Sequence, residues 1–141
     1  MKPDADCTCP LRLHQAKTYA EVTKGSADII FNTATTADGK SLAAYLPGLL
    51  DPNFRIMSLY PTIELVTDQE RQIRGDPERQ SKGYLETFHV EQFVQVDSLY
   101  GAELARRVEG AGKGAKFKEL WRSLKHQSFI LTNPDIFHLI A

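Results

Sequence analysis

The residues best spaced for chemistry are Ala34-Thr35-Thr36-Ala37-Asp38-Gly39-Lys40-Ser41. Their spacing is that of a phosphate-binding loop, with Ala in place of the first Gly. In such a loop successive backbone N–H groups turn inward and form an anion nest at a helix N-terminus. Gly39 permits close backbone approach, Lys40 supplies a point charge for terminal phosphates, and the Ser41 hydroxyl can complete a Mg²⁺ shell. Ala37 stands where a second Gly is usual and restricts the loop, and Asp38 must turn its charge outward to solvent.

Other groups with chemical potential are dispersed. His14, His89, His126 and His138 show no metal-ligand spacing. Cys7 and Cys9 are one residue apart, a poor spacing for a structural disulfide, and no further cysteine completes a metal site. They read as free thiols in a reducing, cytoplasmic setting. Thr132-Asn133-Pro134 is a polar cap followed by Pro at a first helical position. Trp121, at helical spacing with Phe117 and Leu124, predicts a core stripe rather than a base-stacking platform. Lys113, Lys116 and Lys118 lie near Gly112 and Gly114, as a solvated loop or a docking surface.

A phosphate loop works only between a strand and a helix. The apolar run Ala27–Ala34 predicts a buried strand, and Ser41–Leu50 a helix apolar nearly all round, kinked or shortened at Pro47. Upstream, Leu11–Lys24 predicts a helix closed by Gly25, with Leu13, Ala16, Tyr19 and Ala20 on one side. Downstream, Phe54–Tyr60 predicts a strand and Thr62–Arg74 a helix with Ile63, Val66 and Ile73 on a shared face. Gly75–Gly83 predicts a surface excursion, and His89–Val96 an edge strand. Helices over Leu99–Val108 and Phe117–Lys125, split by Glu109–Gly114, lead to a buried strand at Ser128–Leu131 and a helix from Pro134. Strands alternating with helices predict an α/β fold, a parallel sheet with flanking helices, and the phosphate-loop spacing makes it a P-loop NTPase fold.

Three segments resemble superfamily 2 helicases in order. Leu11-Arg12-Leu13-His14-Gln15 is similar to the segment in which a Gln reads adenine, donating and accepting at once. Leu59-Tyr60-Pro61-Thr62, followed by Glu64, Leu65, Asp68 and Gln69, resembles a motif that contacts the nucleic-acid backbone, as does Leu131-Thr132-Asn133-Pro134-Asp135. The runs DIIFNTATTADGKSLAAYLPGLLDPNFR, LYPTIELVTDQ, LYGAELARRV and ILTNPDIFHLI are similar to the helicase subunit of type I-D CRISPR interference systems. That resemblance covers most of residues 11–141. It implies an ATP- and Mg²⁺-dependent translocase on single-stranded DNA, acting in antiviral defence with an RNA-guided surveillance complex and its large subunit. It further implies that the parallel sheet is a partial, RecA-like one, with Gln15 and residues 34–41 at the nucleotide, and Pro61, Thr62, Thr132 and Asn133 at the nucleic acid. The family usually has Gly at the position of Ala37. A nuclease would belong to another subunit.

The resemblance implies an Asp-Glu-x-His box and a second RecA-like domain downstream, and the 141 residues contain no such box. The expected organisation is therefore a leader over 1–10 and, over 11–141, the N-terminal part of a first RecA-like domain, inactive by itself. A P-loop kinase fits less well, because the Arg residues cluster in surface-like segments. A non-catalytic docking module for the complex is the alternative. The chain has 42% hydrophobic and 25% charged residues and a net charge of −1, so general coating of duplex nucleic acid is disfavoured and contacts must be local. No apolar run reaches eighteen residues, so no membrane span is expected.

Overall fold

The computed structural model describes residues 11–35 and 39–140, the last two by backbone alone. The expectations for the leader 1–10, with its two cysteines, and for Thr36, Ala37 and Asp38 lie outside the described residues.

The elements run α1 (Leu13–Lys24), α2 (Lys40–Leu50), β1 (Ile56–Leu59), α3 (Ile63–Arg74), β2 (Gly75–Asp76), β3 (Ser81–Lys82), α4 (Tyr84–Thr87), β4 (Val96–Ser98), α5 (Gly101–Arg107), α6 (Ala115–His126), β5 (Phe129–Thr132) and α7 (Asp135–Ile140). The main sheet has three parallel strands in the order β1-β5-β4, with Ile56 and Val96 both opposite Phe129. The segment 75–82 is a small antiparallel hairpin.

β5 is the centre of the molecule, and its pleat sorts the core into two layers. Phe129 and Leu131 pack with Tyr45, Leu49, Val66, Ile73 and Val96 on one face. Ile130 packs with Leu99, Leu104, Leu120 and Ile136 on the other. Helices α2 and α3 thus cover one side and α5, α6 and α7 the other. A strand buried on both faces must be apolar throughout, which is why β5 reads Phe-Ile-Leu-Thr without alternation. Each such side chain, fully buried, contributes roughly 1.5–3 kcal/mol.

Helix α2 is buried along Ala43, Tyr45, Leu46, Pro47, Gly48 and Leu49, as its composition predicts. Pro47 does not end it early, because the helix continues to Leu50 and Asp51 N–H closes on the Pro47 carbonyl at 3.0 Å. Gly48 explains the small residue beside it: a Cβ there would run into the Phe129 ring and Ile56.

Four expectations are corrected. The run Ala27–Ala34 forms no strand, and Ile29 and Phe31 are 73% and 86% exposed. A strand exists only by pairing, and none of the described strands lies beside this run. The α1 face of Leu13, Ala16 and Ala20 is exposed; Gln15 is the buried residue of that helix. On α3, Ile63 is exposed and Gln69 takes the buried position between Val66 and Ile73. The strand expected over His89–Val96 begins only at Val96. His89 adopts a left-handed φ of 55°, and residues up to Phe93 form turns closed by bonds such as Phe93 N–H to the Val90 carbonyl at 2.9 Å.

The late edge strand is covered rather than left open. Arg74 donates to the Val96 carbonyl, and Glu70 accepts from the Ser98 hydroxyl at 2.7 Å. These side chains from α3 occupy β4, the kind of edge that otherwise invites pairing with another chain.

Candidate nucleotide and nucleic-acid site

Gly39 is the N-cap of α2 and holds a left-handed φ of 75°, which Gly adopts without a Cβ penalty. Lys40 opens the helix and is exposed, and Ser41 follows, half-buried. Gly39 has no side chain to cap this terminus, and no acidic residue sits in the first turn of the helix. A helix start concentrates N–H donors and the positive end of the helix dipole, which suit an anion.

Gln15 is tied directly to this loop. Its Nε2 donates to the Gly39 carbonyl at 3.0 Å, and its Oε1 accepts from the Arg12 N–H at 2.9 Å. Any Cβ on Gly39 would collide with the same amide nitrogen. The amide therefore bridges the start of α1 to the start of α2, keeping one further hydrogen and one further lone pair for a ligand. Asn32 fastens the other side of the loop. It accepts from Ala34 N–H at 3.1 Å and reaches His14 Nδ1 at 3.1 Å. A shallow pocket of about 350 Å³ lies here, lined by His14, Lys17, Phe31, Asn32 and Ala34. Thr35 is exposed beside it. Sequence reasoning missed Asn32, which belongs to no spacing pattern, and named His14 only beside Gln15 and among the scattered histidines.

The direction of α2 follows from its neighbours. Gly48 abuts Phe129 and Ile56, at the starts of β5 and β1. Tyr45, nearly one turn earlier, hydrogen-bonds Tyr60, just past the end of β1. The helix therefore runs antiparallel to the strands and presents Gly39, Lys40 and Ser41 at their C-terminal edge. That edge is where open parallel sheets bind ligands. Tyr60 also donates to Gln69 at 3.3 Å, so α2, β1 and α3 are pinned together there. Burial is the main cause that pushes the Tyr45, Tyr60 and Tyr84 hydroxyls above the ordinary tyrosine range, and Tyr45 is raised further by its bond to Tyr60.

The same edge gathers the remaining motif residues. Leu59 stands opposite Thr132, and Tyr60 N–H donates to the Thr132 carbonyl at 2.9 Å. Pro61 and Thr62 thus leave the sheet beside Thr132 and Asn133. Pro61 and Thr62 are exposed, and Thr62 Oγ1 accepts from Leu65 N–H at 3.3 Å as the α3 cap. Thr132 is wholly buried, its hydroxyl donating to the Asn133 carbonyl at 3.4 Å. Asn133 Oδ1 is buried with no partner among the described residues.

The start of α2, a glutamine amide bonded to its cap residue, and two strand ends at the same edge form one ordered set. Residues 12–141 match the DEAD/DEAH box helicase family. The chain belongs to that family. No curated protein and no solved structure gave a match. A DEAD/DEAH box helicase couples ATP to work on nucleic acid, and the α/β sheet seen here is the RecA-like P-loop architecture of that family. For this helicase domain, no three His, Cys, Asp or Glu residues cluster as a metal site among the described residues. No helix among the described residues is long and apolar enough to cross a membrane.

Phe117 and Trp121 depart from the predicted core stripe. They are 54% and 52% exposed, and the α6 residues buried instead are Leu120 and Ser123.

Proposed function

We propose that this helicase domain binds ATP and Mg²⁺ through residues 34–41, with Lys40 as the catalytic cation on the terminal phosphates and Ser41 on the metal. Gln15 recognises the adenine with the donor and acceptor that its bonds to Gly39 and Arg12 leave over. Pro61 and Thr62, both exposed, meet the nucleic acid, and the buried Thr132 and Asn133 support that edge from beneath. The observation that carries the reading is the shared edge: α2 runs antiparallel to the strands, with its start directed to the edge where β1 and β5 end.

On the likeness of its longer runs to the type I-D CRISPR helicase subunit, we infer that the complete protein translocates on single-stranded DNA. It would do so with the RNA-guided surveillance complex and its large subunit, in the cytoplasm, in antiviral defence. Phosphoryl transfer needs a water-positioning group and charge neutralisation beyond the phosphate nest. The 141 residues alone are therefore expected to bind nucleotide without turning it over.

The test measures ATP hydrolysis with and without single-stranded DNA. In the complete protein, Lys40→Ala abolishes hydrolysis and leaves the circular dichroism unchanged, because Lys40 is exposed and contributes nothing to the core. Near-normal hydrolysis by that variant sinks the phosphate-loop assignment. Robust turnover by residues 1–141 sinks the division of labour. Binding to the surveillance complex without DNA-stimulated hydrolysis would leave a docking module in place of a motor.

A further inference from the structure

Helix α6 carries two apolar stripes. Leu120, Ser123 and Leu124 face the core with Ile130 and Leu104. Phe117 and Trp121 stand on the adjacent face, exposed, with ring planes 14° from parallel and centroids 6.4 Å apart. Lys125, one turn on, places Nζ 5.7 Å from the Trp121 ring centroid. The two rings are nearly parallel and stacked along the helix, and α6 leaves about half of each open to solvent.

The charge around these rings is mainly positive. The helix holds Lys116, Lys118, Arg122 and Lys125 against Glu119 alone, in a chain whose net charge is −1. Glu119 is neutralised by Arg122 through bonds of 2.6 and 2.9 Å. Lys118 and Lys125 make no ion pair among the described residues. A partner that combines flat rings with regular negative charge fits this face, and an acidic protein segment supplies the charge without the rings. Position points the same way. Only Gln127 and Ser128 separate α6 from β5, so the helix runs back antiparallel and its Phe117 end lies toward the edge that carries Pro61 and Thr132.

We infer that the outer face of α6 is a single-stranded nucleic-acid contact, in which Phe117 and Trp121 stack on bases while Lys118 and Lys125 meet the flanking phosphates. The inference rests on the helicase reading for its occupant and extends it to a surface outside the motifs. Stacking on aromatic rings is tolerant of sequence, as a translocating protein requires, and each stacked base is worth enough to be read by substitution.

Trp121 is the single tryptophan of the chain, so its emission reports this face alone. Titration of the full chain with a thymidine-only single-stranded oligonucleotide is expected to quench that emission. Phe117→Ala, followed by the same emission, is expected to weaken binding roughly tenfold. With a labelled oligonucleotide, Trp121→Leu lowers affinity similarly and Trp121→Phe restores most of it. Lys118→Ala and Lys125→Ala each lower the salt dependence by about one ion. All these side chains are exposed, and circular dichroism checks that the fold persists. Three results overturn the inference: oligonucleotide binding with unchanged Trp121 emission, quenching by inorganic polyphosphate equal to that by the oligonucleotide, or affinity unaltered in both aromatic variants. The last would leave the face to a protein partner. Nucleotide binding is scored separately with Lys40→Ala. Its loss of Lys40 dependence would overturn the motor assignment, and quenching would still decide the α6 face.

Discussion

Gly39 and Gln15 act as one unit in the structure. The left-handed φ of 75° already disfavours any side chain, and the added Cβ would strike the Gln15 amide that bonds the same residue. Gly39→Ala thus carries two separable costs: a backbone cost of about 1–2 kcal/mol and a collision. In a Gln15→Ala background the collision is gone and the backbone cost stays. The substitution at 39 is therefore expected to lower stability and nucleotide affinity more in the parent than in that background. A double-mutant cycle by urea unfolding and nucleotide titration measures the difference. Equal losses in both backgrounds would separate the two residues.

At the scale of elements, the seating of α2 on the sheet decides where the phosphate loop points. Gly48 sets the depth. Gly48→Ala gains about 1 kcal/mol of helix propensity. It loses roughly 1–3 kcal/mol by overpacking against Phe129, which is wholly buried and has no room to yield. The net expectation is a lower urea midpoint. A raised midpoint would mean that the ring gives way and that the seating is looser than described.

The Tyr45–Tyr60 bond sets the orientation of the same helix, and it predicts an alkaline response. Both hydroxyls keep their protons to higher pH in the folded chain than in the unfolded one. Below about pH 10 both states are protonated and this pair leaves stability flat. Above it the unfolded chain releases protons that the folded chain retains, so stability falls as pH rises. The Tyr45→Phe, Tyr60→Phe double variant should show a shallower alkaline decline in unfolding free energy. An identical slope would place the pH sensitivity elsewhere.

Taken whole, the molecule is well packed around β5 and open around residues 27–34. Ile29 and Phe31 lie in the solvent beside α1, held by the Asn32 bonds rather than by a ladder. Backbone without strand partners opens at little cost. Limited chymotrypsin treatment of the 141-residue chain is therefore expected to cut first after Phe31. Phe129, equally aromatic but inside the sheet, should stay intact until global unfolding. Simultaneous cleavage at both would show that the sheet is no more stable than the open run.

The sequence by itself determined the local things. A phosphate-loop spacing, a Gly after α1, a Thr before α3 and apolar runs at β1 and β5 are encoded within a few residues. The Gly, the Thr and the two apolar runs appear within two or three residues of their predicted places. The family could likewise be read from short ordered motifs. Tertiary structure alone decided what depends on partners far along the chain. An apolar octet at 27–34 has strand composition, yet pairing belongs to the neighbour and not to the octet. The stripe Phe117–Trp121 has core periodicity, but α6 has one side against the sheet and Leu120 and Leu124 occupy it, leaving the rings in solvent. Gln15 stands out in the sequence as a motif residue, but its bond to the loop does not: only when α1 packs on α2 does its amide reach Gly39, twenty-four positions away. Periodicity tells which residues share a face; only the packed neighbours determine which face is covered.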